Sequence, residues 1–176
     1  MLKLINIFSI ISDYINDMRK DLNLVPFIVI LLVIPSLLSY FIDKSITNLE
    51  MLKKLLSQLV LITSIIIPLL INILVIIHYS IERTNQKTKE HIKEKKLEFL
   101  KHSNSTISMS ILVSIFILVL SLFSSINYST GFTIKIVKYV LYFMVSFLFI
   151  NIIIILRRIH IFINFEIDEY RKNQKK

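Results

Sequence analysis

The stretch ISMSILVSIFILVLSLFSSI, residues 107–126, runs for 20 residues without a charged side chain, a Pro or a Gly. A helix of that length rises about 30 Å, which matches the hydrocarbon core of a bilayer. Three further stretches meet the same test: 24–42, 55–79 and 136–156. The first opens with Pro26 in its first turn, where the missing N–H has no helical partner to lose. Only Lys138 falls inside any of the four, close enough to an end for its ammonium to reach water. The sequence therefore predicts an all-α integral membrane protein built on four transmembrane helices.

Composition agrees. Of the 176 residues 55% are hydrophobic and the mean hydropathy is +0.70, with one Gly and neither Ala, Cys nor Trp. Bulky Ile, Leu, Val and Phe in long blocks exceed what one small soluble core could cover. The absence of Cys excludes disulfides, thiolate catalysis and Cys-ligated metals.

The net charge of +9 is read against topology. Residues 1–23, the connector 80–106 and the tail 157–176 together carry 16 Lys and Arg, whereas the opposite side carries five: Lys44, Lys53, Lys54 and Lys135 in its two connections and Lys138 just inside span four. The bias of positive charge to one side predicts that both termini and the connector are cytoplasmic.

Before the first span, Asn6, Ser9, Asp13, Asn16, Asp17 and Lys20 share one side of a helical projection, and Leu4, Phe8, Ile11, Ile15 and Met18 the other. The segment lacks a small-residue cleavage site, so it reads as an amphipathic helix on the inner leaflet or docked on the bundle. Thr47 and Glu50 have capping-box spacing, which starts the second helix near Asn48. Ser129, Thr130 and Gly131 mark the turn between spans three and four. The connector, rich in helix formers, predicts helical extensions of spans two and three meeting near residues 84–89. In the tail, Ile159, Ile161, Ile163, Phe165 and Ile167 alternate with polar residues, a strand-like period, although continuation of the fourth helix is favoured by its position.

Several residues inside the spans stand out. Pro35 and Pro68 each lie 11 residues from the inner end of their span, so two kinks fall at matching depth; they fit two neighbouring helices together or form a gating hinge. Asn72 and Asn151 share an inner-leaflet layer and could bond across a helix interface or line an aqueous path. In span three, Ser103, Thr106, Ser110, Ser114, Ser121, Ser124 and Ser125 occupy one stripe about 100° wide at 3.6 residues per turn. With Gly and Ala unavailable, Ser is the small residue for close helix packing. The alternative is that the stripe lines a narrow pore along the axis of a homo-oligomer.

Chemistry is sparse. His78, His91, His102 and His160 form no HExxH pair, and no carboxylate lies within a span. Glu166, Asp168 and Glu169 read as partners for Arg171 and Lys172. No catalytic, cofactor-binding or metal site is expected, and an enzyme is not expected. The remaining surface is basic: Arg83, Lys87, Lys89, Lys93, Lys95, Lys96 and Lys101 against four Glu in the connector. It sets topology and meets anionic headgroups, or it docks a cytosolic protein or acidic ligand; direct nucleic-acid binding is disfavoured.

The layout resembles the small four-span membrane subunits of bacterial anti-phage defence systems, such as the membrane component of Kiwa or of Hailong. The resemblance is carried by the basic connector from Lys93 to Lys101 running into Ser103-Asn104-Ser105-Thr106, the Ser-striped third span, and the fourth span ending in Leu156-Arg157-Arg158. It implies a homo-oligomer in the bacterial inner membrane that partners a cytosolic protein or responds to its product. The function expected is thus a non-enzymatic membrane effector or sensor that perturbs the bilayer. The alternatives are an immunity protein against a membrane-active toxin and a holin-like pore former.

Overall fold

Span one shows how the sequence shapes the backbone. The computed structural model describes residues 7–21, 24–45, 49–87, 90–126 and 132–174. In helix α2, residues 24–45, an α-helical turn at Leu24–Ile28 passes into a π-helical turn at Val29–Val33 and returns to α-helix over Ile34–Ser45. Pro35 has no N–H to offer one turn back, and the backbone widens just ahead of it. The Ile34 N–H reaches the Val29 carbonyl, five residues away, and the Ser39 hydroxyl donates to the Pro35 carbonyl at 2.7 Å.

The amphipathic segment forms α1, Ile7–Asp21. Helix α3 spans Leu49–Lys87, α4 spans Glu90–Ile126 and α5 spans Phe132–Gln174. All described residues of these elements are helical, and four helices are long and apolar enough to cross a membrane. Glu50 occupies the first turn of α3; its expected capping partner Thr47, with Asn48 and the turn at 129–131, lies outside the described residues. Helix α3 is helical through Lys87 and α4 begins at Glu90; of the turn expected near 84–89, residues 88–89 lie outside the described residues.

The tail is helical through Gln174, so the alternating pattern at 159–167 does not form a strand. With no sheet partner at hand, continuing the existing helix satisfies the backbone at no nucleation cost. The extension is held by the connector: Phe162 stacks on Phe99 at 5.7 Å between centroids, and the Lys96 ammonium sits 5.5 Å above the Phe162 ring.

Helices α4 and α5 are the centre of the molecule. Of the residues in their apolar windows 39% and 33% are buried, against 17% for both α2 and α3. Helix α3 packs along α4, α5 packs on α4, α2 packs on α5, and α1 lies against α4. Leu70 and Ile77 of α3, Leu100 and Ile107 of α4, and Ile155 of α5 form one core cluster. A second joins Leu52 and Leu56 to Leu141 and Tyr142. Helices α2 and α3 make no close backbone approach among the described residues. The two prolines therefore do not fit a pair of adjacent helices together. Pro35 is buried beside its π turn, whereas Pro68 lies on the exposed side of an unbroken helix.

Candidate functional site

The hydroxyl stripe of α4 faces inward. Ser110, Ser114, Ser121 and Thr106 are fully buried within the single chain. Their hydroxyls turn back on their own helix: Ser114 donates to the Ser110 carbonyl, Ser110 to the Thr106 carbonyl, and Thr106 to the His102 carbonyl, at 2.8, 2.8 and 3.1 Å. The stripe thus serves close packing between helices. None of these three Ser reaches a surface from which it could line a lumen; Ser125's side chain lies outside those described.

The paired amides do not meet. Asn151 is fully buried and accepts a hydrogen bond from the Tyr14 hydroxyl at 2.7 Å, while its amide nitrogen donates to the Phe147 carbonyl at 3.1 Å. Asn72 is exposed on α3. Docking of α1 supplies the partner that Asn72 was expected to be.

That docking builds the most polar buried site among the described residues, at the end of the molecule where the basic segments gather. Three helical rows converge. Tyr14, Asp17 and Met18 share one face of α1; Glu98, His102 and Thr106 stand one turn apart on α4; Asn151, Ile155 and Arg158 share a face of α5. Asp17, His102 and Arg158 are all more than nine-tenths buried. The Arg158 guanidinium donates to the His102 carbonyl and to the Thr106 hydroxyl, both at 2.5 Å, and its second terminal nitrogen lies 3.6 Å from the Met18 sulfur. Thr106 spends its single proton on the same His102 carbonyl, leaving its lone pairs for Arg158.

His102 bridges two carboxylates. Its Nδ1 is 3.3 Å from Asp17 Oδ1, close enough for an ion pair but outside hydrogen-bond geometry. Its Nε2 is 3.7 Å from Glu98 Oε1, whose side chain is largely exposed. A neutral imidazole has one N–H and can serve one carboxylate; only the imidazolium can serve both. Asp17 Oδ2 is buried with no hydrogen-bond partner among the described residues. Burial raises the Tyr14 phenol above its ordinary pKa, outweighing the opposing pull of the Asn151 bond and the Arg158 charge, so the hydroxyl remains a neutral donor.

A cleft of about 370 Å³ opens beside this network, lined by Asp17, Lys20, Glu98, Lys101, His102 and Asn104 together with Leu97. Lys101 of the basic set borders it, and Lys96, five residues earlier on α4, lies over Phe162. The side chains of Arg83, Lys87, Lys89, Lys93 and Lys95 lie outside the described residues. No three His, Asp or Glu side chains among those described are grouped to hold a metal ion; the two carboxylates address opposite ring nitrogens of His102.

Sequence reasoning placed Asp17 on the solvent side of α1 and Arg158 among the topology-setting charges, and passed over Tyr14 and His102. Phe8 and Ile15, on the predicted apolar face, remain exposed, while Asp17 is buried. The docked sector is rotated from the apolar face because Tyr14 and Asp17 find polar partners on α4 and α5. The available signal was an Asp on a helix flanking one span and an Arg closing another, both at the same end.

Fold and site define a class, a helical protein with four segments capable of spanning a membrane and an ionic clasp at its basic end. Compared with family models, curated proteins and solved structures, the chain matches none.

Proposed function

We propose that the chain is a non-enzymatic sensor or effector of the bacterial inner membrane, of the kind used in anti-phage defence, with the clasp and both termini in the cytoplasm. The observation that carries this reading is the attachment of α1. A helix with its own exposed apolar flank is held to two central spans by a few buried polar contacts, directly beside a cleft open to charged ligands.

A cytosolic protein or acidic ligand that engages Lys20 and Lys101 in the cleft competes with Asp17 and Glu98 for His102. Opening the cleft releases α1. Because α1 is joined to α2 through residues 22–23, its displacement is delivered to a span whose π turn ahead of Pro35 already departs from regular helix. The bilayer is then disturbed by movement of α1 and α2 in an oligomer, with no Ser-lined lumen required.

Dye-loaded vesicles of anionic lipid test this. Full-length protein is expected to leave them sealed, and Asp17→Asn or Arg158→Ala, which open the clasp, to release dye. Intact vesicles and no conductance with all three proteins overturn the effector reading. One observation favours the immunity reading instead: the hydroxyls best suited to line a pore are sealed inside the chain. Its test is suppression of a co-expressed membrane-active toxin from a neighbouring gene.

A further inference from the structure

We infer that the outer face of α3 is the surface on which a second copy of this chain docks, with Asn72 meeting Asn72 of the other copy at its centre. The inference deepens the oligomeric reading above by naming its surface.

The buried side of α3 is a seven-residue row, Leu56, Thr63, Leu70 and Ile77. Diametrically opposite runs Leu61, Ile65, Pro68, Asn72, Val75 and Tyr79, spaced alternately four and three residues apart, and every one of them is exposed. That is heptad spacing along the middle of a wider exposed apolar face, which also includes Ile62, Leu69, Ile71 and Ile76, and left-handed crossings near 20° are the usual packing of transmembrane helices.

Asn72 supplies the second argument. It lies seven residues inside Tyr79, about 10 Å into the span at 1.5 Å per residue. No hydrogen bond to its side chain is made among the described residues. An amide in hydrocarbon is costly without a partner. Copies inserted with the same topology bring identical residues together at identical depth. A carboxamide is self-complementary, so a two-fold pair satisfies one donor and one acceptor on each side. A lone Asn in an otherwise apolar seam is also the device that fixes register and a two-stranded state. Pro68 and Ser64, one and two turns away, keep the approach low in bulk.

The natural absence of Cys makes the test direct. Single variants Leu61→Cys, Ile65→Cys, Val75→Cys and Tyr79→Cys of the full chain, reconstituted in vesicles and oxidised with copper phenanthroline, are expected to form covalent dimers. Ile71→Cys, off the seam on the same helix, and Phe149→Cys on α5 are expected to form several-fold less. In detergent, Asn72→Leu is expected to weaken self-association about 3- to 20-fold, with Asn72→Gln largely retaining it. Because Asn72 is exposed, the variant chain is expected to fold as before. Equal cross-linking on and off the seam, as lipid contact would give, overturns the proposal; so does unchanged association of Asn72→Leu. A chain that dimerises on this seam yet never permeabilises a vesicle overturns the effector reading alone.

Discussion

Arg158 closes span four and is nearly sealed from solvent, so its charge depends on what surrounds it. Each of its described contacts is to another helix: a carbonyl and a hydroxyl on α4, a thioether on α1. Removing one partner of a buried charged network costs about 3–5 kcal/mol, because the remaining charge stays buried. Arg158→Ala is expected to lower stability by about that amount in denaturant titration of the detergent-solubilised protein, whereas Arg157→Ala, exposed one residue earlier, is expected to shift it by less than about 0.5 kcal/mol. Equal effects would show that Arg158 acts only as a topology charge. Tyr14→Phe removes one hydroxyl and strands the Asn151 carbonyl oxygen, for an expected loss of about 1–3 kcal/mol in the same titration.

At the scale of the element, α4 combines two demands that conflict in most transmembrane helices. It must approach three neighbours closely, and it has neither Gly nor Ala to do so. Ser resolves the conflict because its hydroxyl returns to the carbonyl four residues back. Ser114→Ala is therefore expected to change stability by about 0.5 kcal/mol or less, while Ser114→Leu overfills the interface and costs about 1–3 kcal/mol or more. A large, pore-like effect of Ser114→Ala on conductance would contradict this. The four spans and the inward-facing stripe were legible in the sequence because hydropathy and the 3.6 period are local properties. The clasp was not. Asp17, His102 and Arg158 lie 85 and 56 positions apart along the chain, and nothing local indicates that α1 turns its Tyr14–Asp17 side, in place of its most apolar side, toward the bundle. The Asn72 and Asn151 pairing failed for the same reason: the choice of partner depended on where α1 docked.

For the whole molecule the arrangement is asymmetric, with α4 and α5 enclosed and α2 and α3 largely open to the surroundings. Helix α1 shares in both conditions, since Tyr14 and Met18 are buried while Phe8 and Ile15 remain exposed on the adjacent flank. If the basic end lies at the inner membrane surface, that flank belongs at the boundary of headgroups and acyl chains, where a docked helix gains from both sides. The chain has no Trp, so Phe8→Trp provides a single fluorophore at this spot. In bilayers of brominated lipid its emission is expected to be quenched and shifted to the blue relative to detergent-free peptide in water. Combining Phe8→Trp with Arg158→Ala removes the clasp but leaves the flank, so the fluorophore is expected to remain quenched with broader depth dependence as α1 separates from α4. Emission typical of water in both proteins would mean that α1 stands clear of the bilayer, and the route from cleft to membrane would then have to pass through α4 and α5 instead.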